Sequence, residues 1–326
     1  MPPTTQKLAP PTPGAPGPLP TARRGRSKGT RDLPAWGFLA PAIALFVIFM
    51  ALPIGYAAYL SLRTVKVSGL GLGAGARTES WAGFANYSRA LSDPEFLSSV
   101  GRVGLYGLLL VPTMIVLALL FALLLDSRGA RAKGFSRISI FLPYAVPAVI
   151  SSLLWGFLYL PAVSPFYYVF DKLGWDAPSL LSSDLVLFAI ANIALWGGVG
   201  FNMIVIYTSL KAIPTDIYEA ARIDGANERT IALRIKVPIV TPSLIMTFVF
   251  SMIATLQVFA EPTTLRPLTN TISTTWSPLM KVYRDAFTRD DLYSAAATSI
   301  IIAAATFILS FGFLRLVQSR AFSQEK

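Results

Sequence analysis

The chain alternates between long uncharged runs and shorter segments that hold nearly all its charged positions. Asp, Glu, Lys and Arg are absent from 33–62, 103–125, 138–170, 185–210, 237–260 and 292–314. About 20 apolar residues cross a bilayer core, so every run is long enough to span. Backbone in lipid must satisfy its own hydrogen bonds, which leaves helices or a closed barrel. Barrel strands alternate over roughly ten residues, whereas LLLVPTMIVLALLFALLL at 108–125 is a solid apolar block. The pattern therefore predicts an all-α membrane protein of six transmembrane helices. Their expected positions are about 35–60, 103–125, 138–160, 185–208, 240–260 and 292–315, within a membrane domain at 32–320. The first run begins after some thirty residues, lacks an A-x-A cleavage site and is followed by five more spans. It reads as an uncleaved helix rather than a signal peptide.

The segments between the runs add detail. Residues 1–31 are rich in Pro, Gly, Ala and Thr, then basic (TARRGRSKGT). Such a segment cannot bury enough apolar surface to fold and is expected to be a disordered tail. The segment 63–102 holds a glycine-rich stretch (SGLGLGAGA) and then WAGFANYSRALSDPEF. The latter has apolar residues at helical spacing, and Trp81, Phe84 and Tyr87 suit a membrane interface.

Composition sharpens this picture. Of 326 residues, 54% are hydrophobic and only 14% charged, well below the soluble norm of about 25%. The net charge is +11. Six spans put both termini and the loops 126–137 and 211–236 on one side, which then holds 18 basic and 7 acidic residues. The opposite side balances at 10 and 10. The whole excess lies on one face, and the positive-inside rule makes that face, with both termini, cytoplasmic. The charge reads as topology and not as a nucleic-acid surface. The chain has no cysteine and no histidine. That excludes disulfides, thiolate metal sites and catalysis by Cys or His. No G-x-x-x-x-G-K-[ST] phosphate loop occurs, so ATP binding of that type is absent. An ion-coupled secondary transporter would show internal repeats and intramembrane charges, and the six runs hold none.

The segment KAIPTDIYEAARIDGANERTIALRIKVPIVTP (211–242) is larger than chain reversal requires. It reads as two short helices. Asp216 is placed to cap the first, which carries an apolar stripe of Ile217, Tyr218, Ala221 and Ile223. Gly225 breaks it. A second helix runs through Ile231, Leu233 and Ile235, and Pro238 and Pro242 mark the entry to span five. The whole presents a shaped knob to a partner. Within the spans, WGGVGFNM at 196–203 offers three glycines for close approach. Ser251 and Thr255 lie one turn apart, as do Gln257 and Glu261. Such groups either face a cavity or bond to the helix backbone.

Glu219-Ala220-Ala221, Asp224-Gly225-Ala226, Ile235, Pro238 and Pro242 together resemble the EAA loop of ABC importer permeases. The preceding LKAIP (210–214), FLP (141–143) and QVF (257–259) fit the carbohydrate-uptake group, which includes the maltose and glycerol-3-phosphate permeases. The likeness covers roughly 35–317 and departs from the usual pattern at Arg229, Ala232, TTLRPLTN after span five and DDLYSAAA before span six. The resemblance implies a type I importer permease fold in a bacterial-type inner membrane. It implies a second six-span permease, typically in a heterodimer, two ATP-binding subunits and an extracytoplasmic binding protein that delivers a sugar. A permease for a non-sugar solute is the alternative. No cofactor is expected on this chain, since ATP and Mg belong to the partner subunits, and it would not be an enzyme. The loop 211–240 would dock on an ATPase through Glu219, Ala220, Ala221, Asp224, Gly225, Ala226 and Pro238. By the same comparison Gly198, Phe201, Ser251 and Thr255 match sugar-lining positions. Asn202, Gln257, Phe259 and Glu261 are further candidates for the solute path.

Overall fold

The computed structural model describes residues 32–67 and 77–321. The basic tail and the glycine-rich stretch 68–76 lie outside the described residues. The chain divides into two compact units, 1–53 and 54–326. The described part of the first holds α1 (Asp32–Phe46) and a π-helical turn, Val47–Ala51. Helix continues as α2 (Leu52–Ser61), and Trp36–Ser61 is long and apolar enough to cross a membrane.

The second unit contains what the uncharged runs predict, with three corrections. The chain is not wholly helical: β1 (Arg63–Val67) and β2 (Arg77–Trp81) form an antiparallel hairpin, with Val65 opposite Glu79. β-Branched Thr64, Val65 and Thr78 suit a pleated surface. The interfacial stretch that follows is α3 (Ala85–Ser92). Trp81 and Phe84 are exposed, while the Tyr87 hydroxyl meets Ser61 Oγ at 2.6 Å.

Span two is longer than expected, a single helix α4 (Pro94–Asp126). Asp93 caps it by accepting from Glu95 N at 2.8 Å, and Pro94 opens the first turn, where its missing N–H costs nothing. Phe96, Ser99, Val103, Tyr106, Leu110, Met114, Ala118, Ala122 and Leu125 are all buried. Their three- and four-residue spacing makes one stripe, the face that meets neighbouring helices. The opposite face is equally apolar because it meets lipid.

Span three is the second correction. The single helix expected at 138–160 is a broken pair: α5 (Lys133–Phe141) with a tight turn Leu142–Ala145, then α6 (Ala148–Leu158), bent by 98°. Pro143 and Pro147 cause it. Each removes a backbone donor, and Val146, ahead of Pro147, is forced to an extended conformation (ψ 125°). A short helix α7 (Pro165–Lys172) leads on to span four, α8 (Val186–Lys211).

The loop after α8 contains α9 (Thr215–Ile223) and α10 (Glu228–Ile231). α10 runs through a π-helical turn into α11 (Val237–Ile239). Span five is the third correction. Thr241–Leu268 still counts as one span, but within it α12 (Thr241–Leu256) ends before 260, the helix is interrupted at Gln257–Phe259, and it resumes as α13 (Ala260–Leu265). α14 (Pro278–Phe287) and span six, α15 (Leu292–Ala321), complete the chain. Among the described residues, five helices qualify as spans by length and composition, six with the bent pair.

The core lies between α4, α8 and α12. Lipid tails are as apolar as leucine, so close packing rather than escape from water holds these helices together. Small residues make the approach possible: Ala118, Ala122 and Ser99 are fully buried on α4. Gly200 is the position where approach is closest. A Cβ there would strike the backbone of α5, 2.7 Å from Phe141 Cα. At the opposite end from the 211–240 loop, α14 is clamped to the start of α4 by ion pairs. Lys281 meets Asp93 at 3.0 Å, Arg284 meets Glu95 at 2.7 Å, and both cations share Asp285.

Candidate solute cavity and coupling loop

The loop 211–240 folds as a pair of short helices joined by a glycine. Gly225 sits at φ +84°. Its N–H bonds to Arg222 O at 3.0 Å and Ala226 N–H to Ala221 O at 2.9 Å. Those two bonds make a Schellman cap, which needs a left-handed residue at this place. Gly225 is thus both the end of α9 and the bend. Asp216 is not the cap of α9: Pro214 holds that position and Asp216 lies within the first turn. There its charge still favours the positive helix end. The second helix is capped by Asn227, whose Oδ1 accepts from Thr230 N at 2.8 Å, while Asp224 closes α9. Arg222 and Glu228 bridge the bend at 3.0 Å.

The loop's outer surface carries the motif residues. Glu219, Ala220, Asp224, Gly225 and Pro238 are exposed, with Ala221 and Ala226 half-buried. Glu219 has no ion-pair partner among the described residues. The expected apolar stripe splits: Tyr218 turns inward, whereas Ile223 is 87% exposed.

The loop's inner surface rests on a charge node that the sequence reading missed. Asp126, the last residue of α4, pairs with Lys211 at 2.7 Å and with Lys236 at 2.6 Å. The Asp126 and Lys236 side chains are only 6% and 8% exposed. Lys236 Nζ also lies 4.9 Å from the centre of the Tyr218 ring, within cation–π range. One carboxylate therefore ties α4, the end of α8 and both halves of the loop. A signal was present: Asp126, Lys211 and Lys236 each stand at the boundary of an uncharged run. Uncharged runs of similar length bring such boundary charges to one depth.

The intramembrane candidates converge. Gly198, Phe201, Asn202, Ser251, Thr255, Gln257, Phe259 and Glu261 all line one cavity of about 730 Å³. α4 contributes Tyr106, and the break in span three contributes Tyr144, neither of which had been singled out. Both broken spans open onto this cavity, through Pro143–Pro147 and through Gln257–Phe259. Non-helical backbone at membrane depth is tolerated where it lines a cavity rather than lipid. Tyr144 stacks on Phe201 with ring centres 4.9 Å apart.

The polar groups of the wall are incompletely satisfied. Asn202 Nδ2 donates to Gly198 O at 3.1 Å, but the buried Asn202 Oδ1 has no partner. The buried Ser251 Oγ has none either. Thr255 Oγ1 spends its proton on Ser251 O at 2.7 Å. Buried polar atoms are normally bonded, so two orphans among the lining residues are unusual. Of the three glycines in WGGVGFNM, only Gly197 and Gly198 reach the cavity. Gly200 serves the α5 contact instead. Among the described residues no group of acidic side chains could hold a metal.

Comparison with known proteins agrees with this architecture. Residues 114–323 match the family described as "Binding-protein-dependent transport system inner membrane component". The chain is 31% identical over 288 residues to the sn-glycerol-3-phosphate transport system permease protein UgpA of Agrobacterium fabrum, covering 86% of this chain and 94% of that protein. It is 28% identical over 314 residues to the diacetylchitobiose uptake system permease protein NgcF of Streptomyces coelicolor, covering 90% and 86%. A bacterial ABC transporter involved in import of the acidic polysaccharide alginate shares the fold, with a TM-score of 0.75 at 20% identity over 89% of this chain and 96% of that one. A family match over most of the chain, and a relative of this identity and coverage, make it a member of the inner-membrane components of binding-protein-dependent transport systems.

Proposed function

We propose that this chain is one of two membrane subunits of an ATP-driven importer that carries a carbohydrate into the cytoplasm. The observation that carries this reading is the cavity of about 730 Å³. It pairs aromatic faces such as Phe201 and Phe259 with hydrogen-bonding side chains such as Tyr144 and Gln257, the two features by which sugars are held. The volume suits a small ligand or a few sugar rings. The names of the relatives, an sn-glycerol-3-phosphate permease and a diacetylchitobiose permease, support a carbohydrate or a polyol phosphate.

In this reading both termini and the 211–240 loop are cytoplasmic, where the basic excess lies. The binding protein delivers solute at the other side. Glu219 pairs with a basic or polar group on an ATPase subunit, and Ala220, Ala221 and Ala226 keep the contact close. Asp224, Gly225 and Pro238 set the loop's shape. ATP and Mg²⁺ sit on the partners, and this chain catalyses no reaction itself. Closure of the ATPases drives the loops together. The Asp126 node then passes the movement to α4 and α8, whose Tyr106, Gly198, Phe201 and Asn202 line the cavity. The helices rock between outward- and inward-open states, and solute moves with them.

Uptake by cells lacking the native copy tests this directly. Cells are supplied with the chain, or with Asn202→Ala or Ser251→Ala, and offered a panel of labelled mono- and oligosaccharides. Uptake of at least one sugar should depend on the chain and fall about tenfold in the variants, the effect of a lost hydrogen bond of about 1.4 kcal/mol. A panel on which no sugar depends on the chain contradicts the carbohydrate reading.

A further inference from the structure

We infer that the cavity is built for an uncharged, hydroxyl-rich solute and turns anions away, and that Glu261 sets this preference. The inference rests on the reading of the cavity as the solute path. It narrows the solute class below what the relatives' names leave open, since glycerol 3-phosphate is an anion and diacetylchitobiose is not.

Three features of the wall point the same way. Glu261 is the only charged side chain among the residues lining the cavity, which include neither Lys nor Arg. It takes part in no ion pair among the described residues. No cation on the wall answers its carboxyl group. The rest of the wall is neutral and both donates and accepts: the Tyr144 hydroxyl and the Gln257 amide carry donors as well as acceptors. Thr255 offers lone pairs because its proton is committed to Ser251 O. A carboxylate accepts only.

Hydroxyl groups, which both donate and accept, answer such a wall without adding charge. A phosphate or carboxylate solute brings further acceptors and a second negative charge. In an enclosed apolar surround the repulsion is screened far less than in bulk water. The aromatic faces of Phe201 and Tyr144 leave room for a sugar ring to stack but supply no cation. An anion-carrying cavity would place Arg or Lys here, as phosphate and carboxylate recognition requires.

The test reads the cavity's potential without knowing the solute. The chain has no cysteine, so Ala254→Cys, at an exposed position on the cavity wall, creates a single thiol. The full chain is assembled with its own partners in native membranes. It is treated with a trimethylammonium-bearing or a sulfonate-bearing methanethiosulfonate, and modification of this chain is followed by mass. After correction for their rates with a free thiol, the cationic reagent should react about tenfold faster, the lower range of focusing by a charged cleft. Glu261→Gln should bring the two rates within about twofold of each other. Equal rates in the parent, or a preference that survives Glu261→Gln, overturns the inference. With sugar uptake intact, either result leaves the function standing. Ala148→Cys, also on the wall and exposed, carries the same measurement if Ala254→Cys fails to assemble. Failure of both reagents at both positions would overturn the open cavity and the inference with it.

Discussion

Two glycines of this chain do different work, and the difference makes predictions. Gly225 holds a positive φ in open space, so an added Cβ meets no neighbour but strains the backbone. Gly225→Ala should cost about 1–2 kcal/mol in the loop and lower uptake, with Gly225→Asn milder because Asn tolerates the left-handed region. Solute uptake by the two variants checks the order. Gly200 has ordinary backbone but no space. Gly200→Ala should lower the melting temperature of the purified protein by overpacking of about 1–3 kcal/mol, while Gly197→Ala, which meets nothing, should not. Equal melting of the two would contradict the α8–α5 contact. At this scale Gly198, Phe201, Ser251 and Thr255 could be named in advance from the family resemblance, and Asn202, Gln257 and Glu261 because polar groups are rare in and beside uncharged runs. The orphaned state of Asn202 Oδ1 and Ser251 Oγ could not, since it depends on neighbours brought in by folding.

The elements act through their ends and their breaks. Asp126 closes α4 and holds two lysines from elsewhere in the chain. Removing one partner of a buried ion pair costs about 3–5 kcal/mol, because the other charge stays buried unpaired. Asp126→Asn should therefore destabilise the protein and raise the ATP hydrolysed per solute carried in the assembled complex. Lys236→Met added to it should recover stability but not coupling. Recovery of both would show that the node is only structural. At the other end, α14 is clamped to α4. Burial alone would raise the Asp93 carboxyl, but its bonds to Lys281 and to the backbone N–H groups of Glu95 and Phe96 outweigh this and hold it below the usual range. A carboxyl depressed in the folded state stabilises above its unfolded value and loses that contribution as pH falls through the folded one. The clamp should thus be intact at neutral pH and weaken only below about pH 4, a loss that Asp93→Asn removes from the melting curve. Neither the bend at 142–147 nor the break at 257–259 was legible as such. Both lie in uncharged runs that read as continuous spans, and Pro143 and Pro147 signal a kink without fixing its angle.

At the scale of the whole molecule, the six runs were readable because lipid leaves no alternative to helix for an uncharged block of that length. The hairpin β1–β2 was not, being short and next to a glycine-rich stretch. The charge asymmetry makes a topological prediction: a reporter fused after Lys326 should be active only in the cytoplasmic form. The larger claim is that the two halves of the site belong to one machine. The outward surface of the loop 211–240 waits for a partner, and its inward surface is tied to helices that line the cavity. Gentle detergent capture of the tagged chain from its own membranes, with co-purifying proteins identified by mass, tests this most directly. The account predicts a second six-span permease and an ATPase, with the ATPase lost in the Glu219→Lys, Gly225→Pro double variant. A chain that arrives without an ATPase, or that keeps it despite the altered loop, would contradict the account.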